Sequence, residues 1–223
     1  MNKLTSKLIA REFQQHRWML AGTIAVGIAS LGVAAGGSPI LFNIGMLCWI
    51  TAIAAFGCVL AMLGIATERK ERSLLFVLSL PLSFSEYVRV KLFGLLLCYL
   101  VPWLALTAGA IALVLLRADM PDGLLPFTIL ICVFLLANFS FVLCSALAAN
   151  SEGAMTLVII VHNIAISLFI FLVGVIPGFF DHLKDPAPTW GTAFWTVLGI
   201  EAATIVIICS LPYFVVARRR DVI

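Results

Sequence analysis

The chain has 223 residues, of which 63% are hydrophobic and 11% charged, with a formal net charge of +3. A soluble domain is nearer ~45–50% apolar and ~25% charged, so an ordinary water-soluble fold is excluded. The small charge, with no basic tract interleaved with aromatics, gives no argument for nucleic acid, and no such partner is expected.

In chain order the first element is a basic, amphipathic entry segment over residues 1–17. Lys3, Lys7 and Arg11 recur every four residues, while Leu4, Leu8, Ile9 and Phe13 take the neighbouring face. Such a helix is expected to lie at the inner headgroup layer, with its bases toward anionic lipid. It is polar before any apolar core begins, which argues against a cleavable signal. Six long apolar stretches follow, at about 18–35, 40–66, 90–116, 125–149, 154–176 and 192–217. Gly36-Gly37-Ser38-Pro39 and Met120-Pro121-Asp122-Gly123 are tight turns, and Pro177 to Trp190 is a longer connection. Lipid offers no hydrogen bonds, so these stretches are expected to be helices. The fold class is an all-α integral membrane protein, a single transmembrane domain over 1–223.

Orientation follows from the fourteen lysines and arginines. Twelve of them fall before span one, between spans two and three, or after span six, leaving Arg117 and Lys184 on the other side. The positive-inside rule puts both termini and the 67–91 loop in the cytoplasm; the membrane is expected to be of the bacterial inner type.

That loop holds an unusual segment. Leu74 to Phe84 is apolar between charged flanks, and is about half the ~20 residues needed to cross a bilayer. Leu74, Leu75, Leu78 and Leu82 share one helical face, and Pro81 breaks a helix near its end. The segment is free on these grounds to pack beneath the bundle, lie in the interface, or fill a groove in a partner.

Within the spans, ionisable residues are suspects for function by default. His162 lies about eight residues into span five, hence ~12 Å deep. Glu201 lies about nine residues into span six from the other side, ~16 Å from the inner face of a ~30 Å core. These depths permit a contact, and Asn163 adds a polar group at the same level. The groups are expected either to line a translocation path or to serve as polar contacts within the bundle. Asn43, Asn138 and Asn150 are weaker candidates, and Asn150 or Ser151 is expected to cap span five. The six cysteines lie inside apolar segments without a short-spaced pair, and the three histidines are scattered, so neither a disulfide framework nor a metal site is expected. No catalytic set is visible either, which sets aside an intramembrane enzyme.

The run Glu71, Leu74-Leu75, Leu78, Pro81, Tyr87-Val88 and Lys91 resembles the pattern between the second and third spans of ABC-2 type transporter permeases. The opening LIAREFQQHRWML, Leu8 to Leu20, is similar to that family's connecting helix. Ser73 stands where many members carry a glycine. The resemblance implies the membrane subunit of an ABC exporter, dimeric with an identical or related permease subunit. The 71–82 helix would be a coupling helix seated in a separate ATPase, with two ATPase copies per complex. Glu71 would orient that helix, Leu74, Leu75 and Leu78 would be its buried anchors, and Pro81 would end it. ATP and magnesium would be bound by the ATPase, and this chain, which carries no G-x-x-x-x-G-K-[ST] loop, would bind no cofactor and be no enzyme itself. Cargo is expected to be a peptide, an antibiotic or another amphipathic molecule. The alternative is an ATPase-independent carrier or channel, which would show inverted repeats or matched broken helices.

Overall fold

The computed structural model describes residues 3–66, 84–117, 119–148, 151–177 and 179–219. Six long helices account for most of them: α1 (Lys3–Ala34), α2 (Pro39–Ala61), α3 (Phe84–Leu116), α4 (Leu124–Ala148), α5 (Glu152–Val175) and α6 (Thr192–Arg219). A π-helical turn, Met62–Ala66, prolongs α2, and a short 3₁₀ turn spans Phe180–Lys184. All six helices contain a stretch long and apolar enough to cross a membrane, and no strand occurs among the described residues. The chain is a multi-pass membrane protein.

Local chemistry places the boundaries. Gly37 takes φ 74°, a left-handed conformation suited to glycine, and reverses the chain after α1. Ser38 then caps α2, its hydroxyl accepting from the Ile40 N–H at 3.3 Å, with Pro39 at the first helical position. Ser151 caps α5 in the same manner, accepting from the Ala154 N–H at 3.2 Å, as expected from the sequence.

The entry segment differs from its expected separateness. Residues 3–17 and the first span form one uninterrupted helix of 32 residues, because neither glycine nor proline occurs before Gly22. At 1.5 Å per residue it is ~48 Å long against a ~30 Å hydrocarbon core, so about a third of it projects beyond. Of the residues on the two expected faces, Lys7 and Arg11 are exposed, and Leu8, Ile9 and Phe13 are half-buried.

Two contacts at opposite ends show that α1 and α3 run side by side and parallel. Glu12 meets Lys91 near their N-termini, and the Ala34 carbonyl accepts from Arg117 Nη1 at 2.7 Å at their C-termini. At that same end Gly123 N–H donates to the Asp185 carbonyl at 3.0 Å. The Phe179 and Phe180 rings also pack on Phe127 there, with centroids 6.4 and 5.6 Å away. The α1–α2, α3–α4 and α5–α6 connections therefore gather at one end of the bundle.

The core lies among α2, α3 and α4. Tyr99 of α3 stacks between Phe139 of α4, at 3.8 Å between centroids, and Phe56 of α2, at 6.0 Å. Polar tips of aromatics stitch the helices: Tyr99 Oη donates to the Leu135 carbonyl, Trp103 Nε1 to Cys132, and Trp49 Nε1 to Leu106, at 3.2, 2.8 and 3.2 Å. In a bilayer, where apolar contact alone gives helices little reason to associate, such bonds and close packing hold the bundle. Helix α4 is the central element, while α5 and α6 both pack on α4 rather than on each other.

Candidate functional site

Of the expected site residues, Glu71, Leu74, Leu75, Leu78 and Pro81 lie outside the described residues. What frames them is described. The π-helical turn at Met62–Ala66 closes α2, and α3 starts at Phe84, with Val88, Val90, Lys91 and Leu92 already buried.

Lys91 is the first charged group of α3 to enter the interior. Its Nζ donates to Glu12 Oε1 at 2.7 Å, and both side chains are more than nine-tenths buried. His16, one turn along α1, brings Nε2 to 3.7 Å from Glu12 Oε2. Buried charges persist only when paired, and this trio joins the two parallel helices near the start of α3. Sequence reasoning counted Lys91 as a loop base and passed over Glu12. The available signal was that Glu12, the one acid among the first seventeen residues, shares a helical face with Leu8 and His16 at four-residue spacing.

Deeper in the bundle, His162 and Glu201 are both buried, 2% and 5% exposed. No hydrogen bond or ion pair joins them, and each lacks a side-chain hydrogen-bond partner. His162 faces the backbone of Ala54 on α2 and Asn138 on α4. Asn138 Nδ2 donates to the His162 carbonyl at 3.1 Å, so this asparagine ties α4 to α5. Asn163 is exposed and bonds back to the Ile159 carbonyl at 2.8 Å, one turn earlier in its own helix; Asn43 does likewise to Pro39 at 2.9 Å.

Glu201 occupies a different setting. Because α5 and α6 lean separately on α4, a cavity of about 370 Å³ opens among the three helices. Glu201 lines it together with apolar side chains, including Phe134 of α4 and Phe169 of α5, whose rings stack at 4.0 Å. The structure thus separates the two ionisable candidates, one wedged against α2 and α4 and the other beside a cavity. Among the described residues no three of His, Cys, Asp and Glu stand together as a metal-ligand set. Chemically, the arrangement offers a carboxyl group next to an apolar space and a charged latch between α1 and α3.

Comparisons with protein-family models, with curated proteins and with solved structures find no match to this chain.

Proposed function

We propose that this chain is the membrane-spanning permease subunit of an ATP-driven exporter. It would pair with a second permease subunit and engage two copies of a separate ATPase through residues 71–82. Both termini and that loop would face the cytoplasm, consistent with six crossings, and ATP and magnesium would be bound by the ATPase. The sequence pattern from Glu71 to Lys91 supports the partner, and the six apolar helices support the membrane setting.

The observation that carries the coupling is the Lys91–Glu12 pair. A force applied to the 71–82 segment reaches the bundle through the start of α3. There the buried ion pair binds α3 to α1, so the two long parallel helices move as one body. Nucleotide-driven closure of the ATPases would then shift this pair against α4 to α6, a rigid-body rearrangement of packed elements. The cargo class is a peptide, an antibiotic or another amphipathic molecule.

The test is purification of the tagged chain in mild detergent from its native membrane, with mass spectrometry and an ATPase assay. A stoichiometric ATPase, lost when Leu75→Asp and Leu78→Asp are combined, is the expected result. A homo-oligomer that never carries an ATPase overturns the proposal and favours a self-sufficient carrier or channel.

A further inference from the structure

We propose that the cavity among α4, α5 and α6 receives a lipophilic monovalent cation, an ammonium or phosphonium borne on an apolar or aromatic body, with Glu201 as its counter-charge. The proposal rests on the transport reading above and narrows its cargo, given there as a peptide, an antibiotic or another amphipathic molecule, to the non-peptide amphipathic cations among them.

Three observations converge. Glu201 is the one ionisable residue lining the cavity, is 5% exposed, and has no hydrogen-bond partner on either carboxylate oxygen. A carboxylate withdrawn from water without a partner is costly, most of all in a bilayer, and a cation beside it offsets that cost. Three side-chain torsions let the carboxyl group turn toward a guest.

The cavity, at about 370 Å³, falls within the range of ligand-binding pockets. Its walls suit a greasy cation. Phe134 and Phe169, stacked with an interplanar angle of 9°, present aromatic surface of the kind that attracts organic cations. Leu172, Val173 and Val197 supply aliphatic surface.

The remaining polar group argues against other guests. The Thr204 hydroxyl donates to the Ile200 carbonyl at 2.7 Å, so its proton is already committed. The lining then offers no free donor for an anion and too few polar groups for a peptide backbone, whose amides must each be satisfied in such a place.

The experiment is saturable binding of tritiated tetraphenylphosphonium to the full chain, purified and reconstituted in nanodiscs of zwitterionic lipid without the ATPase. Wild type should bind saturably, and neutral triphenylmethane should not compete. Near-isosteric Glu201→Gln should weaken binding by roughly ten-fold or more, as expected for loss of the one charge in an apolar site. Glu201→Asp should retain measurable binding. Val197→Trp, which fills the cavity and leaves Glu201 in place, should abolish binding, and provides a second route should Glu201→Gln not yield monodisperse protein. Absence of saturable binding by monodisperse wild type, equal affinity in Glu201→Gln, or undiminished binding in Val197→Trp each overturns the proposal. Binding is read without ATPase, so its failure is distinct from failure of the copurification above.

Discussion

Lys91 on α3 and Glu12 on α1, 79 positions apart in sequence, meet at 2.7 Å with both side chains removed from solvent. Removing one partner of a buried pair leaves an uncompensated charge, whereas removing both replaces the pair with neutral packing. Lys91→Met should therefore destabilise the protein by about 3–5 kcal/mol, while Glu12→Gln combined with Lys91→Met should recover most of that loss. Thermal unfolding in detergent of the two single variants and the double variant measures this. Simple addition of the single effects would mean that the pair does not act as a latch. If the latch transmits the ATPase stroke, the stable double variant should still insert and bind ATPase, yet hydrolyse ATP with weakened coupling to export.

The same pair marks the limit of what the sequence disclosed. Six apolar stretches and their turns were legible, because length and hydropathy alone force a helix in lipid, and Gly37, Ser38 and Pro39 carry their own turn chemistry. The unbroken α1 was less so: positive charge up to Arg17 suggested a separate element, yet no residue there breaks a helix. Contacts between distant positions were hidden. Lys91 at the foot of a span looks like any positive-inside flank, and only the side-by-side packing of α1 and α3 reveals its partner. Likewise Glu201 was visible as an acid in a span, but the cavity beside it exists because α5 and α6 splay on α4, which no local pattern encodes.

Gly45 sets the closeness of α1 and α2. A β-carbon added there would lie 2.3 Å from the Ala34 backbone nitrogen and 2.6 Å from its Cα, and backbone cannot yield as a side chain can. Small residues at such crossings let helices approach in membranes. Gly45→Ala should lower stability by about 1–3 kcal/mol through overpacking. Gly32→Ala, where nothing lies within 4 Å, should be neutral or mildly stabilising. Equal unfolding temperatures for the two variants would refute the close crossing.

Asn138 holds α5 to α4 through the His162 carbonyl, at 3.1 Å. That carbonyl also lies within a helix, so the side-chain bond is supplementary and its loss is modest. Asn138→Leu should cost about 1 kcal/mol, the usual scale for interhelical hydrogen bonds in membranes. Unchanged or increased thermal stability in lipid-like detergent would show that this bond contributes nothing to the attachment of α5.

At the opposite end of α3, Arg117 binds Asp119 through both Nε, at 2.9 Å, and Nη2, while its Nη1 satisfies the Ala34 carbonyl at the end of α1. Hydrogen bonding to the guanidinium holds the Asp119 carboxyl below its ordinary value of 3.8. A carboxyl group whose folded value is depressed contributes stability above its unfolded value, and loses that contribution as pH falls through the folded one. The advantage of wild type over Asp119→Asn should accordingly be present at neutral pH and fade below about pH 4, where the aspartate takes up its proton. Asp119 is well exposed, so the difference in unfolding temperature should be small and should shrink further in high salt. A gap between wild type and Asp119→Asn that stays constant from neutral pH into acid would show that the ionised carboxylate is not what steadies Arg117 against α1.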